Sequence, residues 1–228
     1  MINHVVNSLA NLLPLFLIPI KDFSATKTRM RAMVPLHDVQ YIEKLAETTF
    51  LNIIQVLQES MLSFGVISPS IKIISHSKDL GAKFAYRDIG EGLNHALNET
   101  FKKNPLQIPI VIMMADLPFI TGDFLSNFLH SIEKNDVLII PSISADDTKV
   151  GTAILYLRTP TLLKFQFGHN SWYKFRDEAI FKSLKVQVLH QDPFARDLDT
   201  LNDLKYLKHH LEMVHHPKQF IELLKQLC

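Results

Sequence analysis

Short, wholly apolar segments alternate along the chain with longer stretches in which apolar residues recur at helical spacing. Residues 110–114 are apolar without interruption, as expected of a parallel strand that is covered on both faces of its sheet. Residues 42–61 instead place apolar side chains three and four positions apart, on one face of a long amphipathic helix. This alternation predicts an α/β fold in which helices cover both faces of a mostly parallel sheet.

Further elements continue the same alternation. We predict strands at residues 16–20, 71–74, 137–140, 153–157 and 186–189, and helices over residues 93–101, 124–132 and 198–211. Thr121 is a candidate N-cap for the helix over 124–132. No repeat, linker or shift in composition divides the 228 residues, so we expect a single domain over 1–228. Residues 1–13 would form a poorly specified N-terminal extension, and residues 212–228 a C-terminal tail.

Charge and cysteine content restrict the class of partner and the compartment. The net charge is +1, which gives no electrostatic reason to expect a nucleic acid or a membrane. Pro14 and Pro19 interrupt the first apolar run and no Lys or Arg precedes it, so neither a membrane span nor a signal peptide is predicted. Cys228 is the single cysteine, which fits a reducing cytoplasm. We therefore expect a cytoplasmic protein without a nucleic-acid or membrane partner, and it could form a homodimer.

A basic segment follows the first predicted strand. In sheets of this kind, ligands bind beyond the carboxyl ends of the strands. Residues 21–30 contain three cations and a hydroxyl group that can hold nucleotide phosphates: Lys21, Lys27, Arg29 and Thr28. A solvated basic loop explains the segment equally well, and no P-loop motif is present.

Two acidic positions also follow apolar segments. Asp116 comes directly after residues 110–115, and Asp197 opens an Asp-Leu-Asp-Thr sequence. The pair could hold Mg²⁺, which usually takes one or two carboxylates together with substrate phosphates. The alternatives are a turn at Asp116 and a helix cap at Asp199 or Thr200, so the choice between Asp197 and Asp199 as second ligand stays open.

Glycine stands near hydroxyl residues in two further segments. Gly151 precedes Thr152, and Gly168 lies three positions before Ser171. Glycine permits close approach of the backbone, and hydroxyl groups can donate to phosphate oxygens, although two ordinary turns would look the same. The histidine pairs at residues 209–210 and 215–216 lack the accompanying ligands that metal sites show.

Taken together, five segments resemble the family of 2-phospho-L-lactate guanylyltransferases and follow the family's order. They are residues 18–30 (Ile-Pro-Ile-Lys, then Lys-Thr-Arg-Met), 92–97 (Gly-Leu-Asn-His-Ala-Leu), 116–118 (Asp-Leu-Pro), 167–171 (Phe-Gly-His-Asn-Ser) and 197–200 (Asp-Leu-Asp-Thr). One departure is Ala153, which stands where the family's Gly-Thr-Asn-Ala-Leu has asparagine, so a polar group near the acceptor site is missing.

This resemblance implies a fold, a reaction and a set of site residues. The fold would be a Rossmann-like, GT-A-like nucleotidyltransferase fold, a three-layer sandwich. The reaction would transfer GMP from GTP to 2-phospho-L-lactate, phosphoenolpyruvate or 3-phosphoglycerate with release of pyrophosphate, in coenzyme F420 biosynthesis. Another nucleotidyltransferase with a different phosphorylated acceptor, or a non-catalytic nucleotide-binding protein, are the alternatives.

The resemblance also assigns roles by position. Catalytic roles fall to Lys21, Lys27, Arg29 and Asp116. Nucleotide contacts fall to Lys21, Thr28, Arg29, Glu91, Gly92 and Asn94. Acceptor contacts fall to Thr152, Gly168 and Ser171, and Asp116 and Asp197 would bind Mg²⁺.

Overall fold

The computed structural model describes residues 13–88, 91–103, 106–143, 151–215 and 217–226. Its strands are β1 (Leu15–Pro19), β2 (Phe64–Ser68), β3 (Phe84–Arg87), β4 (Ile110–Met113), β5 (Val137–Pro141), β6 (Thr152–Leu157) and β7 (Val186–Val188). Its α-helices are α1 (Thr28–Arg31), α2 (Val39–Glu59), α3 (Ile71–Asp79), α4 (Leu93–Lys103), α5 (Gly122–Ile132), α6 (Ser171–Phe181), α7 (Leu201–His209) and α8 (Pro217–Leu224). Within these ranges, no helix is long and apolar enough to cross a membrane.

The strands of the described residues form one seven-stranded sheet in the order β3-β2-β1-β4-β6-β5-β7. Neighbouring strands are parallel except at β6, which runs antiparallel to both β4 and β5. The predicted, mostly parallel sheet is confirmed. Because β6 is reversed, its first residue, Thr152, lies at the edge where the parallel strands end, which is where ligands bind in such sheets.

Helices cover both faces of the sheet, as the three-layer prediction requires. In β1, Phe16 and Ile18 face a core formed with α2, α3 and α5. Leu17 points to the other face, where Leu97 of α4 and Phe175 of α6 pack. A third cluster joins α2 to α8, in which Phe220 is fully buried. The described part of the predicted C-terminal tail therefore packs against the long helix.

The strand predicted at residues 71–74 is wrong, because these residues begin α3. Ser70 is the N-cap residue of this helix, Ile73 and Ile74 are buried, and Ile71 is 60% exposed. The apolar run at residues 71–74 is too short for its spacing to distinguish a strand from a helix, and it forms the start of a helix. The helix over 42–61 was also predicted too long, since α2 ends at Glu59 and Met61 is exposed.

The strand of this region is β2, which the sequence did not reveal. Gly65 lies in its second position, and glycine usually weakens a strand prediction. A Cβ atom at Gly65 would lie 2.7 Å from the carbonyl oxygen of Phe84 in β3. Glycine is therefore required here by the close approach of the neighbouring strand.

Several predictions fall outside the described ranges. These are the N-terminal extension except for Leu13, and His216 and Cys228. The predicted cap at Thr121 is confirmed, because its side chain accepts a hydrogen bond from the Phe124 N–H at 3.2 Å.

Candidate active site

A cleft of about 290 Å³ opens where β4 ends and β6 begins. Asp116 and Asp197, the predicted metal ligands, line it together with Thr152 and Gly168 from the predicted acceptor set. Leu93, Met114 and Phe167 are among the apolar residues of its lining. Residues that are far apart in sequence therefore meet at the edge of the sheet where chemistry was expected.

Main-chain hydrogen bonds bring Asp197 to Asp116. Asp116 follows β4, and its carbonyl oxygen accepts from the Leu198 N–H at 3.1 Å. Ile143, two residues beyond β5, donates its N–H to Ala195 at 2.9 Å. The segment that carries Asp197 is thus held between the ends of β4 and β5. Leu198 is 1% exposed, and its burial anchors the same segment.

The ammonium group of Lys27 lies among these carboxylates. Its Nζ atom is 2.9 Å from Oδ2 of Asp116 and 3.6 Å from Oδ1 of Asp199, and its side chain is 5% exposed. The backbone of Lys27 is left-handed, with φ of 55°, which is uncommon for a residue other than glycine. The ion pairs hold this positive charge at a fixed position beside the cleft.

The other residues of the basic segment are more exposed. Arg29 is 48% exposed, and its guanidinium lies 3.9 Å from Oδ2 of Asp199. Lys21 and Thr28 are exposed at the exit of β1. The segment therefore provides one buried cation and two exposed ones, and their predicted contacts with a nucleotide stay predictions.

Thr200, and not Asp199, caps helix α7. The Thr200 hydroxyl accepts from the Asp203 N–H, and the Asp203 carboxylate accepts from the Thr200 N–H in a capping box. The Asp199 carboxylate faces Lys27 and Arg29 instead. Because the cap is supplied by Thr200, the Asp199 carboxylate is free of the helix and forms an acidic group with Asp116 and Asp197.

Burial and mutual repulsion destabilise the negative charges of the acidic group, which consists of Asp116, Asp197 and Asp199. Burial raises the pKa of Asp197 to about 8, and the charges of Asp116 and Asp199 add to this effect. Burial also raises the pKa of Asp199, followed by the charge of Asp116. Oδ1 of Asp197 is buried and has no hydrogen-bond partner among the described residues. An unpaired buried carboxylate oxygen is costly, and a cation bound there would remove both penalties.

These donors fit Mg²⁺ better than a metal enclosed by protein ligands. The described residues include no group of three or more His, Cys, Asp and Glu side chains that could hold a metal ion. Mg²⁺ usually takes one or two carboxylates and completes its shell with water and substrate phosphates. Asp116 and Asp197 supply such a pair, with Asp199 beside them, and the metal role stays a proposal.

The predicted acceptor residues form a connected unit. The Oγ1 atom of Thr152 and the Oγ atom of Ser171 are 2.7 Å apart, and both residues are buried. Gly168 has φ of 134°, a conformation that favours glycine, and its carbonyl accepts from the Ser171 N–H. Thr152 and Gly168 line the cleft, whereas Ser171 is fully buried and contacts Thr152.

On the predicted nucleotide side, the Asn94 side chain hydrogen-bonds to the main chain of a distant loop residue. Its side-chain amide binds the N–H and the carbonyl group of Phe167. Glu91 is 61% exposed, with one carboxylate oxygen 3.3 Å from Nδ1 of His95. Gly92 has φ of 102°, so a side chain there would be strained.

The sequence analysis assigned no role to two polar residues that line the cleft, Ser142 and His169. The Ser142 hydroxyl accepts from the Gly151 N–H at 2.9 Å, which fixes the start of β6. The signal for this contact is the antiparallel pairing of β5 with β6, which makes residues 142 and 151 neighbours. The sequence analysis predicted both strands but not that they are antiparallel.

Comparison with known proteins finds relatives that match nearly the whole chain. The family described as "Guanylyl transferase CofC like" matches residues 15–227. Over 211 residues the chain is 25% identical to a 2-phospho-L-lactate guanylyltransferase of Methanocaldococcus vulcanius, covering 91% of this chain and 90% of that one. Over 202 residues it is 28% identical to a phosphoenolpyruvate guanylyltransferase of Rubrobacter xylanophilus, covering 84% and 91%.

The fold has solved counterparts. A chain from Desulfovibrio desulfuricans G20, assigned to the nucleotide-diphospho-sugar transferases, superposes with a TM-score of 0.67 at 18% identity. The match covers 94% of this chain and 97% of that one. At this identity the likeness establishes the fold alone.

Proposed function

The chain belongs to the guanylyl transferase CofC-like family, and on this premise we propose that it transfers GMP from GTP to a small phosphorylated three-carbon acid. The candidate acceptors are 2-phospho-L-lactate, phosphoenolpyruvate and 3-phosphoglycerate, and the product would serve coenzyme F420 biosynthesis. The observation that supports this most is the cleft in which Asp116 and Asp197 meet beside Thr152 and Gly168.

The reaction is a direct displacement at phosphorus. An oxygen of the acceptor phosphate attacks the α-phosphorus of GTP and forms a new P–O bond. The bond from the α-phosphorus to the oxygen that bridges to the β-phosphorus breaks, and pyrophosphate leaves with the electron pair. A phosphate monoester has a second pKa of about 6, so the nucleophile is already an anion at neutral pH and needs no general base.

The protein must therefore bring anions together and align them. The buried ammonium of Lys27 is held in place by Asp116 and Asp199, so it offers a fixed charge with little reorganisation. Arg29 and Lys21 are more exposed and would neutralise charge on the leaving phosphates. These roles account for a site that has cations and carboxylates.

Asp116 and Asp197, with Asp199 next to them, would hold Mg²⁺ at the edge of the cleft. When bound, Mg²⁺ would neutralise negative charge on the triphosphate. Oδ1 of Asp197, which is buried without a hydrogen-bond partner in the described structure, supports this assignment. Asparagine in place of either aspartate would keep the size of the side chain and remove its charge.

The acceptor would bind on the opposite side of the cleft. Gly168 carries no side chain and allows an acceptor phosphate to approach the backbone closely. The hydroxyls of Thr152 and Ser171 hydrogen-bond to each other, and this pair supports the turn that carries Gly168. Donor and acceptor would thus be held by different strand exits of one sheet.

Release of pyrophosphate tests the proposal. The purified protein is incubated with GTP, Mg²⁺ and each candidate acceptor, with reactions that lack acceptor as controls. We expect pyrophosphate with at least one acceptor, only when both substrates are present, and little or none with ATP. The Asp116→Asn variant is the control for contaminating activity. No release with any acceptor would contradict the proposed function, and equal rates with GTP and ATP would contradict the choice of base.

A further inference from the structure

The side chain of Asn94 joins helix α4 to the loop at Phe167, beside the cleft. Asn94 is the second residue of α4, and its Nδ2 atom donates to the Phe167 carbonyl oxygen at 2.9 Å. The Phe167 N–H donates in return to Oδ1 of Asn94 at 2.6 Å. The two residues are 73 positions apart in sequence. One amide side chain therefore satisfies both main-chain polar groups of a distant loop residue.

Residues that line the cleft adjoin this pair on both sides. Leu93, which precedes Asn94, lines the cleft, and so do Phe167 and Gly168. Gly168 has φ of 134°, and glycine restricts its own backbone least of all residues. The position of the Gly168 turn therefore depends on contacts made by its neighbours. The Asn94 amide holds one end of this turn, and the hydroxyl pair of Thr152 and Ser171 holds the other.

We propose that Asn94 is a positioning residue that fixes the acceptor side of the cleft, in place of the nucleotide contact predicted from the sequence. Its carboxamide supplies one donor and one acceptor to Phe167, which is the full set of polar groups that this loop residue offers. Removal of the amide frees the loop at Phe167, so the Gly168 turn moves relative to Asp116 and Asp197. Misplacement by about 1 Å can reduce turnover by roughly 100-fold, so the contact is consequential.

This inference rests on the proposed function, and two separate measurements distinguish a failure of the inference from a failure of the proposed function. The first measures hydrogen–deuterium exchange of the peptide that contains Phe167 and needs no substrate. The second compares KM for GTP with KM for the acceptor. The variant is Asn94→Ala, because alanine is the best helix former and the change should leave α4 intact. The isosteric Asn94→Asp variant keeps an acceptor for the Phe167 N–H and loses the donor.

A matched control lies one turn further along the same helix. The Asn98 side chain donates to the Asn94 carbonyl oxygen at 2.8 Å, a contact within α4. Asn98→Ala therefore makes the same substitution in the same helix without touching the Phe167 loop. We expect Asn94→Ala to accelerate hydrogen exchange of the Phe167 N–H by about 10-fold or more, because this N–H loses its hydrogen-bond acceptor. Asn98→Ala should leave the exchange rate at Phe167 unchanged.

In the kinetic measurement, Asn94→Ala should raise KM for the acceptor by about 10-fold or more and change KM for GTP by less than about twofold. Asn94→Asp should lie between the wild type and the alanine variant in both measurements. Unchanged exchange at Phe167 in Asn94→Ala would overturn the inference, as would a rise confined to KM for GTP. Absence of turnover in the wild type would contradict the proposed function, and the exchange result would still decide whether Asn94 holds the loop.

Discussion

Replacement of Asp197 by asparagine should stabilise the metal-free protein at neutral pH and abolish turnover. Burial, with the charges of Asp116 and Asp199, raises the pKa of Asp197 from 3.8 to about 8. Between pH 3.8 and about pH 8, Asp197 carries a proton in the folded protein and has released it in the unfolded chain. The stability that this group contributes is therefore complete below pH 4 or so and is lost as the pH rises towards 8.

The magnitude follows from proton linkage. One bound proton changes the free energy of unfolding by about 1.4 kcal/mol per pH unit. From pH 5 to pH 7, Asp197 should lower the free energy of unfolding of the wild type by about 3 kcal/mol. Asparagine has no proton to release, so the Asp197→Asn variant should lack this decrease and gain stability relative to the wild type as the pH rises.

Urea unfolding in the presence of EDTA at pH 5, 6 and 7 measures the effect. Groups far from Asp197 titrate alike in both proteins, so the difference between variant and wild type reports Asp197 together with the neighbours whose charges act on it, Asp116 and Asp199. Asp177→Asn is a matched control, because the Asp177 side chain is 64% exposed and pairs with Arg176. A difference between Asp197→Asn and the wild type that stays constant from pH 5 to pH 7 would refute the reasoning, because the carboxylate would then not be destabilised by its surroundings.

Three further substitutions test other parts of the structure. Asp116→Asn and Asp197→Asn should each remove most of kcat/KM, and the double variant should be little worse than either single variant, because the effects of residues that act as a unit are not additive. Losses that multiply in the double variant would contradict a shared metal site. Ser171→Ala or Thr152→Val should lower the free energy of unfolding by about 1–3 kcal/mol, because each leaves one buried hydroxyl unpaired. Each should also raise KM for the acceptor more than KM for GTP, and a change confined to KM for GTP would move these residues to the nucleotide site. Gly65→Ala should cost about 1–3 kcal/mol in urea unfolding, because its Cβ atom would lie 2.7 Å from a carbonyl oxygen; wild-type stability would contradict the strand spacing.

The fold could be predicted where one period persists over a whole element. Residues 110–114 are apolar throughout, and the structure confirms a buried strand at β4. Residues 71–74 are too few to show whether the period is two or 3.6, and their strand prediction was wrong. The strand at β2 was missed because its glycine is explained only by the approach of β3, a contact between chain segments that sequence spacing does not contain.

The site was predictable to the level of segments. Strand exits converge at one edge of a sheet, which favoured a meeting of Asp116 with Asp197. Asp197 follows β7 only after a connecting segment, and main-chain hydrogen bonds of this segment bring it to Asp116. The direction of individual side chains does not follow from the order of elements. Thr200 takes the helix cap and leaves Asp199 to the cations, and the Asn94 amide finds its partner 73 positions away. Both outcomes depend on the packing of loops that the sequence pattern does not specify.

Identification of the reaction products by ³¹P NMR and mass spectrometry tests the central claim most directly. The protein is incubated with GTP, Mg²⁺ and an acceptor whose phosphate is labelled with ¹⁸O. We expect pyrophosphate and an adduct in which GMP is joined to the acceptor through a diphosphate, with all of the ¹⁸O retained and one labelled oxygen bridging the two phosphorus atoms. Release of orthophosphate from GTP, or of pyrophosphate without any such adduct, would contradict nucleotidyl transfer to a phosphorylated acid.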